Sequence, residues 1–142
     1  MIHPARWLPA WVAGLTLLGC AGDGSRIPGD MTNGGGIQPT LASLQQNVFT
    51  PICTECHVPG GIGPMPLDSE TATFQNLVNV ASLEIPTLMR VLPGDPENSY
   101  VVWKTEGRPQ ILFDRMPPPP RPMLDADQLE ALREWIRLGA DP

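Results

Sequence analysis

The stretch Cys53-Thr54-Glu55-Cys56-His57, CTECH, is the part of the chain from which the fold can be inferred. Its C-x-x-C-H spacing is the attachment signature of c-type haem. Two thiols three positions apart can reach the two vinyl groups on one side of a porphyrin, and the histidine that follows is then held beneath the iron. We therefore expect one covalent haem c, bound through Cys53, Cys56 and His57.

Two other chemistries also use closely spaced cysteines. A structural zinc site needs about four Cys or His ligands, and outside CTECH the chain offers only His3 and Cys20, with a carboxylate such as Glu55 as a substitute. A thioredoxin-like dithiol needs CxxC at the start of a helix in a βαβ unit. Here the motif follows a predicted helix, and no strand pattern surrounds it. Both chemistries remain as alternatives to haem.

The first 20 residues, MIHPARWLPAWVAGLTLLGC, predict a lipoprotein leader. A short polar start precedes an apolar run that is shorter than the roughly 20 residues needed to span a bilayer. The stretch 17–20, LLGC, resembles the lipobox of bacterial lipoproteins, which implies removal of residues 1–19 and lipidation of Cys20. The alternatives are a cleaved secretory leader with an incidental cysteine and an uncleaved anchor. All three place the chain outside the cytoplasm, on the periplasmic or cell-surface side of a membrane, and Ala21 favours the outer membrane.

Residues 20–39 are rich in Gly, Pro, Asp and Asn, and they predict a flexible tether between the lipid and a folded domain at 40–142. The formal net charge is −6. Such an acidic chain is a poor candidate for nucleic acid, because phosphate contacts need clustered Lys and Arg. The charge favours solubility, or docking to a basic surface on a redox partner protein.

Four short helices and no paired strands are predicted in the domain, which makes it all-α. The expected N-caps are Thr40, Ser69, Asp95 and Asp125. The first helix should end at Pro51, and the last should run from about 126 to 138 with a capping box and a stop at Gly139. Their buried faces should carry Leu41, Leu44 and Val48, and Leu129, Leu132, Trp135, Ile136 and Leu138. About 100 residues with so much loop bury little apolar surface unaided, which favours a large apolar group at the centre.

The second axial ligand of such an iron would be a methionine, since the chain offers no other suitable histidine. Met116 is the best candidate because the prolines of RMPPPPRP fix φ and stiffen its loop. The other candidates are less suitable: Met31 lies in the tether, Met65 is only eight residues past His57, Met89 lies in an apolar stretch, and Met123 precedes the last helix. The alternative for RMPPPPRP is a surface polyproline stretch, such as a docking site. His/Met ligation leaves no site for a small-molecule substrate, so it predicts an electron carrier rather than an enzyme.

Several segments in order, FTPICTECH, LVNVAS, RVLPGDPENSYVVWKTEG, RMPPPP and LDADQLEALREWIRLGA, resemble the mono-haem class I cytochrome c domains of bacteria, in their planctomycete-type variety. The resemblance implies a cytochrome c fold, with short helices and long loops around one haem and with the first and last helices crossing. It implies thioether bonds at Cys53 and Cys56, His57 as proximal ligand and Met116 as distal ligand. Arg90 and Tyr100 fall in a segment that lies near the haem in such domains. Members often have a Gly-containing loop where this chain has prolines at 117–120.

These inferences together predict a lipid-anchored protein that passes single electrons between redox partner proteins at a bacterial membrane. Water would be excluded from the ring by apolar side chains, for which we expect Leu67, Leu77, Val78, Leu92 and Phe113. One alternative is a haem enzyme or a gas or peroxide sensor, in which Met116 leaves the iron open. Another is a haem-free structural lipoprotein.

Overall fold

The computed structural model describes residues 36–142. The predicted leader, Cys20, and the tether up to residue 35 with Met31 lie outside the described residues. The elements are α1 (Leu41–Leu44), which continues directly as a π-helix (Gln45–Cys53), then α2 (Glu70–Leu77), a 3-10 turn (Pro96–Asn98), α3 (Tyr100–Glu106) and α4 (Ala126–Arg137). Across 36–142 there is no strand, only three isolated β-bridges. The prediction of an all-α domain is confirmed. None of the helices in this part of the chain has the length and apolar character needed to cross a bilayer.

The first helix begins as predicted and ends later than predicted. Thr40 is the N-cap, and its side chain accepts a hydrogen bond from the backbone N–H of Ser43. The expected stop at Pro51 is wrong, because the π-helix continues through it to Cys53. In an α-helix a proline ring crowds the carbonyl four residues earlier, and the wider π-type turn relieves that contact. The helix therefore leads without a break into CTECH.

The two middle helices are shorter than the sequence pattern indicates. Ser69 caps α2 as expected, but the chain becomes extended at Val78, which pairs with Val91. The single helix expected after Asp95 is divided in two. Asp95 caps only the 3-10 turn, and Ser99 is extended and pairs with Met89 before α3 begins. The isolated bridges end the helices at both points, because a bridged residue needs an extended backbone.

The last helix agrees closely with its prediction. Asp125 and Gln128 form the reciprocal capping box, and Gly139 follows the helix with φ +117°. The predicted buried face is confirmed for Leu132, Trp135 and Ile136. The prediction that Leu138 is buried is wrong, since it lies at the helix end and is 52% exposed. α4 packs against α1 and α3, and α1 also contacts α2. The fully buried aliphatic side chains that these contacts enclose include Leu41, Leu44, Val48, Leu77, Val91, Val102, Leu132 and Ile136.

An ion-pair network covers the outer side of the contact between α3 and α4. Arg133 on α4 binds Glu106 at 2.7 Å, and Arg108 binds Glu106 at 2.7 Å and Glu97 at 2.8 Å. Glu97 also binds Arg133. These charges are partly or fully solvated, so each pair contributes little on its own. The core beneath them supplies most of the stability of this contact.

Candidate functional site

An apolar cavity of about 270 Å³ lies between the end of the π-helix, the CTECH segment, α2, α3 and the loop before α4. It brings together all four candidate site residues of the domain: Cys53, Cys56, His57 and Met116 line it. The other lining side chains are mostly aliphatic or aromatic and include Val48, Phe49, Ile52, Met65, Leu67, Leu77, Val101, Leu124 and Leu132. Segments far apart in sequence therefore enclose one apolar space whose lining includes two cysteines, a histidine and a methionine.

His57 is buried in the cavity wall, with 8% of its surface exposed. Its ring Nδ1 lies 3.1 Å from the backbone oxygen of Met65. A carbonyl can only accept, so this contact selects the tautomer with the proton on Nδ1 and leaves Nε2 as the nitrogen with a free lone pair. Burial lowers the pKa of His57, which favours the neutral ring. A neutral imidazole oriented by a carbonyl is the form in which histidine binds metals.

Two glycines let the loop after His57 lie against it. A Cβ at Gly63 would lie 2.4 Å from Nδ1 of His57, and a Cβ at Gly61 would lie 2.3 Å from the backbone oxygen of Cys56. Backbone hydrogen bonds hold this arrangement, from Gly63 N to Cys56 O at 2.9 Å and from Leu67 N to His57 O at 2.8 Å. These glycines were not predicted as site residues from the sequence. Their position just after CTECH was the available signal.

The two cysteines follow from the helix that leads into the motif. Cys53 is the last residue of the π-helix, and its carbonyl accepts from the backbone N–H of both Cys56 and His57, at 3.1 and 2.9 Å. The three site residues thus share one tight turn. Within 36–142 both cysteines are free thiols. Burial, with a smaller effect of the nearby Cys56, raises the pKa of Cys53 to about 12.

Of the methionines in the described residues, only Met65 and Met116 line the cavity. Met65 lies beside His57, since its own carbonyl receives the His57 Nδ1 proton. Met116 lies on the loop before α4, and its backbone N–H donates to Lys104 O at 2.8 Å. Met89 takes part in two β-bridges, and Met123 is 44% exposed. Met116 is therefore the cavity methionine that does not belong to the His57 loop.

The proline-rich loop is fixed by two arginines. Arg115 donates to the backbone oxygens of Pro117 and Arg121, the latter at 2.7 Å. Arg121 forms an ion pair with Glu55 of CTECH at 2.6 Å. The Met116 loop is thus joined directly to the cysteine segment, and both Arg121 and Met116 line the same cavity.

One wall of the cavity is polar. Arg90 and Tyr100, which the resemblance placed near a haem, both line it, together with Ser82, Glu84 and Lys104. Arg90 donates to the backbone oxygen of Asn76 at 2.7 Å, and burial lowers its pKa. Burial and then the hydrogen bond to Glu84 raise the pKa of Tyr100 to about 12. Sequence reasoning missed Glu84 and Lys104, which carry no local signal of their own.

The apolar lining agrees with the expectation in part. Leu67 and Leu77 line the cavity, whereas Val78 and Leu92 are half-buried and lie outside its lining. The prediction that Phe113 excludes water is wrong, because this residue has φ +59° and is 85% exposed. Ile62 and Leu83 were missed, and both line the cavity mouth with 91% and 70% of their surface exposed. Apolar side chains that are both exposed and cavity-lining offer a contact surface to a large apolar ligand.

The donor set distinguishes the metal chemistries. Within residues 36–142 no three His, Cys, Asp or Glu side chains come together as a metal site, so the four ligands of a structural zinc site are not assembled. The dithiol alternative lacks its βαβ setting here, since no strand occurs in this range. Two thiols, one oriented imidazole and one thioether around an apolar cavity fit a covalently attached haem. The residues present therefore fit that group.

Comparisons with protein-family models, with curated proteins and with solved structures gave no match to this chain.

Proposed function

We propose that this protein is a lipid-anchored mono-haem cytochrome with the cytochrome c fold, which carries single electrons outside the cytoplasm. The observation that carries the proposal is that Cys53, Cys56, His57 and Met116 line one apolar cavity. The spacing of the first three residues is the haem-attachment signature. The fourth comes from a loop that an ion pair joins to that motif.

The side chains divide the binding work among them. Cys53 and Cys56 would hold the haem covalently as thioethers, and His57 Nε2 and Met116 Sδ would bind its iron. The bound haem supplies a one-electron iron couple, whose potential rises with methionine ligation and with burial. The Met65 carbonyl orients His57, and a well-oriented, fixed ligand needs little rearrangement when the charge of a metal changes. The aliphatic lining, including Leu67 and Leu77, excludes water.

Electron transfer also agrees with the proposed iron ligands, the net charge and the predicted lipid anchor. If methionine and histidine both bound the iron, they would leave no open position for a substrate. The net charge of −6 suits transient contact with a basic surface on a redox partner protein. Leader removal and lipidation at Cys20 would anchor the chain to a bacterial membrane outside the cytoplasm. c-type haems are attached on that same side of the membrane.

The test starts from the full chain, with its leader, produced together with a c-type haem maturation system. Haem that stays with the protein after acid-acetone extraction, and is lost in Cys53→Ser with Cys56→Ser, would support covalent attachment. The oxidised protein should show the weak far-red band of a methionine sulfur on ferric iron. Met116→Ala should abolish this band.

Met65→Ala and Met89→Ala are the matched controls, since Met65 lines the cavity beside His57 and Met89 lies outside it. Both should retain the far-red band. Loss of the band in Met65→Ala alone would show that the sulfur ligand is Met65 and not Met116. A high-spin ferric spectrum in the unmodified protein would instead indicate an open iron, as in an enzyme or sensor, and absence of covalent haem would indicate a structural lipoprotein.

A further inference from the structure

A closed ring of hydrogen bonds surrounds the backbone of Leu112 beside the cavity. The N–H of Leu112 donates to Tyr100 Oη at 3.2 Å, and the Tyr100 hydroxyl donates to Glu84 Oε2 at 2.5 Å. Lys104 Nζ donates to the same carboxylate oxygen and to the Leu112 carbonyl, both at 2.9 Å. We name Glu84, Tyr100, Lys104 and the backbone of Leu112 the Leu112 network. It satisfies both backbone polar groups of this loop residue.

Lys104 also connects the Leu112 network to Met116. Its backbone oxygen accepts the N–H of Met116 at 2.8 Å, while its side chain binds the carbonyl of Leu112. Both ends of the segment 112–116 are therefore bound to a single residue of α3. Apolar packing gives the segment little support, since Leu112 is 47% and Phe113 85% exposed. The place of Met116 depends mainly on polar contacts.

The network contains a buried cation and a partly buried carboxylate. The Lys104 side chain is 7% exposed and that of Glu84 26%. Lys104 is the only lysine in the sequence, and Tyr100 is the only tyrosine. A buried ion pair often stabilises a fold no better than apolar side chains of similar volume. What an ion pair and a hydroxyl provide, and apolar side chains do not, is a directional hold on a backbone N–H and C=O.

We propose that Tyr100, Glu84 and Lys104 are positioning residues that hold the Met116 thioether in place as a ligand. They act through the loop backbone, on a segment with little apolar packing, and they add to the Arg115 hydrogen bonds that hold the proline-rich part of the loop. The inference rests on the proposed function and goes beyond it, because it assigns the retention of the sulfur to three specific side chains. Weakening the network should release the loop and let a small competing ligand displace the sulfur.

The experiment titrates the haem-loaded, full-length protein with imidazole and follows loss of the far-red band. Tyr100→Phe keeps the ring and removes one hydroxyl, so displacement should occur at about tenfold lower imidazole, the equivalent of one hydrogen bond of about 1.4 kcal/mol. Lys104→Met removes the hydrogen bond to the Leu112 carbonyl and also leaves Glu84 without its cationic partner, so it should have a larger effect. Lys104→Arg keeps the charge and donors, and it should retain most of the wild-type resistance.

Glu106→Gln is the matched control. Like Glu84, Glu106 is an ion-paired carboxylate, and like Lys104 it lies on α3. Its partners are Arg108 and Arg133, and it makes no hydrogen bond to residues 112–116. Its imidazole midpoint should equal that of the wild type. Thermal unfolding of every variant is measured in parallel, so that a general loss of stability is separated from a loss of ligand retention.

The outcomes separate the two proposals. A wild-type protein without a far-red band refutes methionine ligation, and this inference falls with it. A wild-type band together with an unchanged imidazole midpoint in Tyr100→Phe, and in Lys104→Met where it folds, overturns the inference alone. The same holds if the variants lower the unfolding temperature without moving the midpoint, because the network would then support only the fold.

Discussion

Replacing Gly63 by alanine places a methyl group against the imidazole of His57. The added Cβ would lie 2.4 Å from Nδ1, 2.7 Å from Cγ and 2.8 Å from Cε1, whereas real Cβ contacts essentially never fall below 3.0 Å. The ring and the loop must therefore separate. The ring cannot move freely, because Nδ1 is bound to the Met65 carbonyl at 3.1 Å and the backbone oxygen of His57 accepts from Leu67 at 2.8 Å.

The expected cost combines overpacking with a weakened Nδ1 hydrogen bond. Together they should lower the free energy of unfolding by about 2 kcal/mol. In a domain of this size, that lowers the unfolding temperature by roughly 10 °C. Because the affected ring is the proposed proximal ligand, Gly63→Ala should also show a partly high-spin ferric spectrum and a lower yield of attached haem.

Gly60→Ala is the matched control in the same loop. Gly60 has φ +76°, so alanine there costs about 1–2 kcal/mol of backbone strain, but nothing lies within 4 Å of its added Cβ. Circular dichroism measures the unfolding of both variants, and the ferric absorption spectrum reports the ligation of His57. Only Gly63→Ala should change the spectrum. A Gly63→Ala protein with wild-type stability and a wild-type spectrum would refute the close-contact argument.

Three further predictions concern stability. The two arginine partners lower the pKa of Glu97, so its stabilising effect is present above the ordinary value of 4.5 and is lost as the pH falls through the lowered value. The unfolding curves of Glu97→Gln and wild type should therefore differ at about pH 7 and converge at acidic pH, below the lowered pKa. The half-exposed pair of Arg121 with Glu55 should contribute at most about 1 kcal/mol in a double-mutant cycle, and a coupling that survives high salt would contradict this. Leu44→Ala, fully buried, should cost about 2–5 kcal/mol in denaturant unfolding, whereas Leu138→Ala, 52% exposed, should stay within about 0.5 kcal/mol; equal losses would contradict the burial argument.

The starts and ends of the helices show how much of the fold the local sequence pattern can predict. The caps at Thr40, Ser69 and Asp125 were predictable because a cap depends on residues within one helical turn. The stop at Pro51 failed because the proline rule assumes an α-helical turn, and the chain here adopts a π-helix. The prediction of a single helix after Asp95 failed because a bridge to Met89, which lies more than one helical turn earlier in the chain, holds Ser99 extended.

The sequence by itself determined the helical class, the chemical types of the proposed ligands and their order along the chain, since these follow from spacing and from residue type. Only the tertiary structure decided which methionines face the cavity, that Phe113 lies outside it, and that Glu84 meets Lys104 across 20 residues and Glu55 meets Arg121 across 66. The physical reason is the separation along the chain of the residues that interact. Helix caps and motif spacing are governed by neighbouring residues, whereas cavity walls and buried ion pairs form only when segments far apart in the chain pack together.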